Sequence, residues 1–522
     1  MEDTERQSPA RAIAAGYATE GAALELGTVL VDGQADPEAR VRIPLATLNR
    51  HGLVAGATGT GKTKTLQVMA EQLAAAGVPV LMADVKGDLS GLTRPGAAGE
   101  RITARAADTG DDWQPAAFGT QFLSLGTAGI GVPVRATLTA FGPILLSKVM
   151  GLNDTQESTL GLIFHWADGR GLPLLDTKDL RAVIQYLTSD EGKADLKGIG
   201  GVSPATAGVI LRALVNLEAA GGDEFFGEPE FDPADLMRVT DGRGVISLLE
   251  VGELASRPQL FSTFLMWLLA ELFETLPEAG DLDRPKLVFV FDEAHLLFAD
   301  ASKAFLERIE QTVKLIRSKG VGVFFCTQLP TDIPDGVLSQ LGARVQHALR
   351  AFTPNDQQAL ATTVRTYPTT PHYDLEEALT SLGTGEAIVT VLSERGAPTP
   401  VAWTRLRAPR SLMDTIGVDA IRAAATSSQL HGKYGATVDR ESAYEELGRR
   451  LAAEAAPDDD PAPAPLPPPG GEARAERPER EEPSTVEKVL GNSAVKSFLR
   501  SAASALGREI TRGIFGTRRR RR

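Results

Sequence analysis

The 522-residue sequence has a single cysteine, Cys326, and no long uninterrupted apolar run. One cysteine cannot form an intramolecular disulfide or a thiolate zinc site, so the sequence predicts a reducing, cytoplasmic location. The most apolar stretch, residues 260–276, is interrupted by Glu271 and Glu274, and no basic segment followed by an apolar one stands near the amino terminus. These absences disfavour a secreted or membrane-spanning protein.

Negative charge outweighs positive charge, since 68 Asp and Glu stand against 54 Lys and Arg and give a net charge of −14 at pH 7. Aromatic residues make up only 6% of the chain. A negative surface repels the phosphate backbone and weakens loose binding of nucleic acid over the outside of the molecule. No cluster of aromatic and basic residues stands out, which disfavours sequence-specific reading of DNA. DNA is not excluded, since a ring needs basic loops only along its channel.

A glycine-rich motif early in the chain fits the phosphate-binding pattern G-x-x-x-x-G-K-[ST]. Its residues are Gly56, Ala57, Thr58, Gly59, Thr60, Gly61, Lys62 and Thr63. An apolar strand-like segment, 53–55, precedes the motif, and a segment with helical spacing, 62–76, follows it. Glycines let backbone N–H groups approach a polyphosphate at the positive end of a helix. We therefore predict nucleoside triphosphate binding, in which Lys62 contacts the outer phosphates, Thr63 holds Mg²⁺ and Thr65 completes the nucleotide-binding set.

A second motif ends the apolar segment 286–291 with two carboxylates, Asp292 and Glu293. A near-continuous apolar run is typical of a strand buried on both faces. We predict that Asp292 binds Mg²⁺ and that Glu293 orients and deprotonates the attacking water, as phosphoryl transfer requires. His295 is interpreted as a packing or hydrogen-bonding residue, because no second metal ligand follows at i+4. The carboxylate pair predicts hydrolysis in addition to binding.

Two further predicted strands end in polar residues. Residues 321–327 read as a core strand followed by Gln328. Gln328 either senses the terminal phosphate and positions water or caps the strand end. Residues 80–84 read as the strand after the phosphate-loop helix, and Asp84 at its tip either joins the water and metal network or has a structural role.

Arg317 stands at the end of a predicted helix, residues 302–319, just before a glycine. We interpret it as a residue that reaches the terminal phosphate bound to a neighbouring subunit, because such a guanidinium stabilises the charge of the transition state. A solvated surface arginine is the alternative. Arg344 and Arg350, which flank a later strand-like segment, are rival candidates.

Composition divides the chain into segments. These are a short β-rich segment (1–50), the phosphate-loop half of the core (51–137), a helical insertion (138–242), the rest of the ATPase core (243–430), a helical extension (431–454), a disordered Pro-rich acidic linker (455–483) and a basic amphipathic tail (484–522). Gly33 and Pro37 are predicted to mark turns in the first segment. From Thr485 onward, ten Lys or Arg face two Glu, a net charge of +8. The tail is predicted to bind nucleic acid, an anionic membrane surface or the acidic face of a ring, unless it is a dispensable solvated end.

Several motifs together resemble the HerA group of P-loop ATPases, within the HerA/FtsK group. They are residues 56–63, 292–295, 317–320 and 327–328, while residues 84–91 and 133–135 resemble its bacterial YjgR-like branch. The resemblance covers roughly residues 10–430. It implies an α/β fold with a RecA-like P-loop core of the additional-strand type, a hexameric ring and DNA translocation alongside a nuclease or other protein partner. The residues that take the family's roles are Lys62, Thr63, Asp292, Glu293, Arg317 and Gln328.

The sequence therefore predicts an ATP-hydrolysing motor with ATP and Mg²⁺ as cofactors, a homohexameric DNA translocase or helicase. Two alternatives stay open. One is a nucleotide-gated ring or scaffold that recruits a partner, and the other is an ATPase that drives protein cargo. Glu293 weighs against the first alternative, and the lack of a membrane anchor weighs against the second.

Overall fold

The computed structural model describes residues 8–449 except for gaps at 85–86, 127–128, 190–191, 197–199, 220, 251–257, 281, 299–300, 302 and 448. Within these residues the strands are β1 (Ala23–Val31), β2 (Gln34–Pro44), β3 (Gly52–Ala55), β4 (Val80–Asp84), β5 (Thr120–Leu125), β6 (Val132–Val134), β7 (Val239–Thr240), β8 (Arg243–Gly244), β9 (Ile246–Glu250), β10 (Leu287–Phe291), β11 (Val321–Thr327), β12 (Ala343–Gln346), β13 (Glu386–Thr390) and β14 (Ala402–Leu406). The linker predicted at 455–483 and the tail predicted at 484–522 lie outside the described residues.

Helices connect most of these strands. They are α1 (Pro9–Ala15), α2 (Lys62–Ala75), α3 (Glu100–Thr109), α4 (Leu138–Val149), α5 (Asp154–Gly169), α6 (Thr177–Thr188), α7 (Gly192–Asp195), α8 (Pro204–Ala219), α9 (Pro258–Thr275), α10 (His295–Phe298), α11 (Lys303–Ile316), α12 (Asp335–Leu338), α13 (Pro354–Val364), α14 (Leu375–Ser381), α15 (Val418–Ser427) and α16 (Gln429–Tyr434). None of the helices in the described ranges is long and apolar enough to span a bilayer.

One large sheet organises the described part of the chain. Its strand order is β2-β1-β14-β13-β12-β3-β11-β10-β4-β9-β5-β6. The part of the sheet from β12 to β6 in this order is parallel. The part from β2 to β12, which includes β1, β14 and β13, is antiparallel. The carboxyl ends of the parallel strands therefore meet at one edge, which is where open α/β sheets bind ligands.

The centre of the sheet confirms the predicted fold class. Every residue of β3, β4, β9, β10 and β11 is buried, as expected for parallel strands covered by helices on both faces. β11 lies between β3 and β10, because Phe325 pairs with Leu53 on one side and with Phe291 on the other. This inserted strand gives the RecA-like P-loop core of the additional-strand type.

The amino-terminal hairpin extends the same sheet through pairing of β1 with β14. Asp32 and Gly33 have φ values of 51° and 74°, which confirms the turn predicted at Gly33. The turn predicted at Pro37 is wrong, because Pro37 lies inside β2. β2 is the outermost strand, and its ladder with β1 is irregular between Thr28 and Leu30. A proline costs no ladder hydrogen bond at such a position.

Helices α4 to α8 fill the interval between β6 and β9. Their starts are well capped: Asn153 and Asp176 each form a reciprocal capping box at α5 and α6. α4 packs against α9 and α11, which are helices that follow core strands. The helical stretch is thus attached to the sheet through α4, while the division of the chain into the predicted segments stays a prediction.

His51, just before β3, is a fully interior histidine with both ring nitrogens bonded. The Val323 N–H donates to Nδ1 at 3.0 Å, so Nε2 carries the hydrogen and donates to the Val313 carbonyl at 2.7 Å. Burial lowers the pKa of His51 to about 4, against 6.5 for a free histidine. Protonation of Nδ1 would break the bond from Val323, so the folded protein holds this ring neutral.

We expect the free energy of unfolding to decrease as the pH falls from about 6.5 to 4, because the unfolded chain binds a proton at His51 that the folded chain excludes. This group alone lowers stability by about 2 kcal/mol at pH 5 relative to neutral pH. Chemical denaturation of the wild type and His51→Gln at both pH values measures the difference in slope. His165→Gln, at an exposed position of α5, is the control. Equal pH slopes for wild type and His51→Gln would contradict the assignment.

Candidate nucleotide-hydrolysis site

The phosphate loop connects β3 to α2 at the carboxyl edge of the parallel strands. Gly56, Gly59 and Gly61 have φ values of 151°, 83° and 112°, in the region that favours glycine. A Cβ on Gly56 would lie 2.5 Å from the Cβ of His347, whereas one on Gly59 would meet no atom within 4 Å. Gly56 is therefore required by packing as well as conformation, and Gly59 by conformation alone.

Strand ends on both sides hold the start of this loop. The Gly56 N–H donates to the Thr327 carbonyl at 3.2 Å, and the Ala57 N–H donates to the Ala348 carbonyl at 2.8 Å. The first four N–H groups of α2 have no acceptor within their own helix, as at any helix start. They point out of the positive end of the helix, which favours an anion such as phosphate.

Lys62, the first residue of α2, folds back over the loop. Its Nζ donates to the carbonyl oxygens of Gly56 at 2.6 Å and Ala57 at 3.2 Å. The ammonium charge is thus held at the loop itself, where the outer phosphates of a nucleotide would lie. Thr63 follows it, half-buried in the first turn of the helix.

Asp292 and Glu293 follow β10 at the same edge of the sheet. The pKa of Asp292 is raised, first by burial and then by the negative charge of Glu293. The Glu293 N–H donates to Asp292 Oδ1 at 2.9 Å, and Glu293 has a φ of 48°, which is uncommon outside glycine. This turn ends the strand and keeps the two carboxylates side by side.

His295 lies over Glu293, with Nδ1 at 3.4 Å from Glu293 Oε2. The two atoms do not meet hydrogen-bond geometry, and among the described residues neither has a hydrogen-bond partner. The Glu293 side chain is 29% exposed. The Glu293 side chain thus reaches solvent in part, while its Oε2 is buried beside His295.

Lys62 and Glu293 both lie within electrostatic reach of Asp292 at the carboxyl edge of the sheet. The charge of Lys62 lowers the pKa of Asp292, and the charge of Glu293 raises it. The same two charges lower and raise the pKa of the buried thiol of Cys326, which burial raises overall. β11 alone separates β10 from β3 in the sheet. With neighbouring strands about 4.8 Å apart, about 10 Å separates the strand that ends in the acids from the strand that leads into the loop.

Gln328 is exposed directly after β11, beside the start of the phosphate loop. The preceding residue, Thr327, accepts the Gly56 N–H through its carbonyl and donates its hydroxyl to Asp332 at 2.7 Å. The Leu329 N–H donates to the same carboxylate at 2.9 Å. This turn holds Gln328 beside the start of the phosphate loop, and both roles considered for it stay predictions.

The three candidate arginines lie at different positions relative to the phosphate loop. Arg317 is exposed at the amino end of β11, the edge opposite the phosphate loop. Seven strand residues at about 3.3 Å each put about 23 Å between the two edges. Arg350, in contrast, donates to the Thr58 carbonyl of its own loop at 3.3 Å, and Arg344 donates to the Thr366 carbonyl at 3.3 Å. If Arg317 contacts a terminal phosphate, that phosphate is therefore bound to another copy of the chain.

Asp84, at the end of β4, is 2% exposed. Its two oxygens accept the N–H groups of Gly87 at 2.7 Å and Leu89 at 2.9 Å, so it shapes the segment after the strand. Asp84 pairs in register with Glu250 of β9. Burial, followed by the charge of Asp84, raises the pKa of Glu250 to about 8. These contacts favour the structural role among the two considered for Asp84.

Sequence reasoning missed His347, which follows β12 and lies against the phosphate loop. Its Nε2 is 2.9 Å from the hydroxyl of Thr65, a buried residue one turn into α2. Burial, followed by the charge of Lys62, lowers the pKa of His347 to about 4, so the ring is neutral at physiological pH. The only signal in the sequence is a polar residue that closes an apolar, strand-like segment.

A glycine loop at a helix start, an acidic pair that ends a strand two positions away and a strand inserted between them define an additional-strand P-loop ATPase. The sequence matches the family model Helicase HerA-like C-terminal over residues 30–522. The chain belongs to this HerA-like family, as the resemblance of its motifs predicts.

Solved structures similar to this chain include the bacterial conjugative coupling protein TrwBΔN70. That structure has 14% sequence identity and a TM-score of 0.49, over 78% of this chain and 94% of that one. VirB4 of Thermoanaerobacter pseudethanolicus has 15% identity and a TM-score of 0.46, over 75% of this chain and 98% of that one. TrwB in complex with ADP and Mg²⁺ has 14% identity and a TM-score of 0.48, over 76% of this chain and 98% of that one. No curated protein matches the chain by sequence.

Proposed function

We propose that this chain is a Mg²⁺-dependent ATPase that translocates DNA as a homohexamer. One observation supports the hydrolytic part above all: the Lys62 ammonium and the Glu293 carboxylate both act on the pKa of Asp292, so the loop lysine and the acidic pair lie close together at one edge of the sheet. Membership of a helicase family supports DNA as the cargo. The single cysteine of the sequence supports a reducing, cytoplasmic location.

Thr63 and Asp292 are the residues proposed to hold Mg²⁺. They fit a cation for an electrostatic reason. Burial and the adjacent Glu293 raise the pKa of Asp292, and a bound cation would offset both effects. A bound Mg²⁺ neutralises charge on the outer phosphate oxygens. Residues 56–63 and Thr65 form the rest of the nucleotide site, with Lys62 as the point charge on the outer phosphates.

In the proposed reaction, Glu293 accepts a proton from water as the water oxygen attacks the γ-phosphorus. The bond from the γ-phosphorus to the bridging oxygen breaks, and its electrons leave with ADP. Gln328 orients the water from the neighbouring strand end. The low-polarity surroundings of the buried strand ends strengthen each of these electrostatic contacts.

The position of Arg317 supports a ring. It lies about 23 Å along the strand from its own phosphate loop, so it completes a site only when a second subunit presents it. The tail at 484–522 is proposed to bind nucleic acid or an anionic membrane surface through its net charge of +8, and a nuclease or other protein partner is proposed to use the translocated DNA.

Adding DNA to the purified protein is expected to raise its ATPase rate several-fold, because a translocase couples hydrolysis to movement along the strand. Duplex and single-stranded DNA should be compared at about 50 and 200 mM salt, since phosphate contacts weaken as salt rises. Lys62→Ala, which lacks the phosphate-binding ammonium, controls for contaminating ATPases. An ATPase rate that neither DNA changes at low salt would contradict translocation and favour the gated scaffold or the protein-cargo motor.

A further inference from the structure

His347 forms the floor of the phosphate loop. Its backbone N–H donates to the Ala55 carbonyl at 2.7 Å, which continues the pairing of β12 with β3. The side chain is fully buried, and its Cβ occupies the space that a side chain on Gly56 would need. The ring also approaches Gly61, since its Cε1 lies 3.6 Å from where a Cβ on that glycine would stand. One residue thus contacts both ends of the loop.

A chain of hydrogen bonds leads from this ring into the loop. His347 Nε2 lies 2.9 Å from Thr65 Oγ1, and Thr65 Oγ1 donates to the Gly61 carbonyl at 3.3 Å. These contacts link the ring to the first turn of α2 and, through Thr65, to the loop.

A peptide group is planar, and its C=O and N–H point in opposite directions. Two donors of Thr65 hold the Gly61 carbonyl inward, the backbone N–H at 3.0 Å and the hydroxyl at 3.3 Å, which aims the Lys62 N–H outward from the start of α2. That N–H is one of the donors on which a phosphate would rest.

The loop's own side chains brace its first half, since Lys62 and Thr60 donate to the carbonyl oxygens of Gly56 and Ala57. Gly59 and Gly61 have no side chains to lock them, and Gly59 has open space around it. Glycine loses more conformational freedom on ordering than any other residue. A loop held in its binding shape before the nucleotide arrives avoids that entropic cost at the moment of binding.

We propose that His347, acting through Thr65, is a positioning residue that holds the phosphate loop in its nucleotide-binding shape. This inference rests on the proposed function of the loop as an ATP site. His347 contributes through the affinity for nucleotide instead of through the chemical step.

The test compares variants by their dissociation constants for a fluorescent ATP analogue and by kcat. His347→Leu and Thr65→Val, which each break the chain with little change in volume, are expected to weaken binding about tenfold, with a much smaller effect on kcat. His347→Gln, whose amide can replace the hydrogen bond to Thr65 as donor or as acceptor, is expected to recover most of the affinity. The double variant should bind no more weakly than either single variant, because both changes remove the same chain.

Thr109→Val is the matched control, since Thr109 is a buried helical threonine of α3 whose hydroxyl also donates to a carbonyl, that of Arg105 at 2.9 Å. It should bind the analogue like the wild type, and thermal unfolding checks that every variant is folded. Wild-type affinity in both His347→Leu and Thr65→Val, or additive losses in the double variant, would overturn the inference. A wild-type protein that neither binds nor hydrolyses ATP would instead overturn the proposed function.

Discussion

Replacing Glu293 with glutamine is expected to leave ATP binding intact and to lower turnover about a thousandfold. The amide has nearly the same size as the carboxylate but cannot accept a proton from the attacking water. In the structure Glu293 Oε2 makes no hydrogen bond among the described residues and lies 3.4 Å from His295 Nδ1, so glutamine removes the proton acceptor without the loss of a hydrogen bond at that atom. The phosphate loop, which lies across β11, is untouched by this change.

Turnover should be measured by phosphate release, and binding by the dissociation constant of a fluorescent ATP analogue. Glu307→Gln is the control, because Glu307 is an exposed glutamate of α11 that pairs with Lys303 one helical turn away. It should keep wild-type turnover. Normal turnover of Glu293→Gln would remove Glu293 as the base, and loss of binding would show that it supports the nucleotide instead.

Replacing Arg317 with alanine is expected to lower turnover about a thousandfold as well, again with ATP binding retained. Arg317 is exposed and lies at the sheet edge opposite its own phosphate loop, so the affected site belongs to a neighbouring subunit. Lys314→Ala, an exposed cation on the same helical segment, is the control for lost surface charge. Arg344→Ala and Arg350→Ala test the rival arginines.

Mixed rings distinguish action between subunits from action within one. A Glu293→Gln subunit still presents Arg317, and an Arg317→Ala subunit still carries Glu293, so a site at their shared interface regains both groups. We expect mixtures of the two inactive variants to recover part of the wild-type turnover. Mixed assemblies that are verified by mass and stay inactive would exclude Arg317 as the residue that acts on the neighbouring site.

Local patterns predicted most of the elements that build the site. The strand-like segments 53–55, 80–84 and 321–327 correspond to β3, β4 and β11 within one residue. Apolar runs of this length, bounded by glycine or polar residues, are governed by interactions along the chain and by burial on both faces. Local patterns gave the wrong prediction for Pro37, because a strand accepts a proline at this position only when it is the outermost strand, as β2 is.

The sequence by itself determined the chemistry that this protein carries. The glycine loop and Lys62 need only neighbours along the chain, and the acidic pair ends its own strand, so their residue types and spacing suffice to predict phosphate binding and hydrolysis. Tertiary structure alone decided that β11 lies between the strand before the loop and the strand before the acids, that Arg317 lies at the opposite edge of the sheet from the loop, and that His347 lies against the loop. Each of these depends on pairing between distant segments: the contact of Thr65 with His347 spans 282 positions, and no local spacing rule reaches that far.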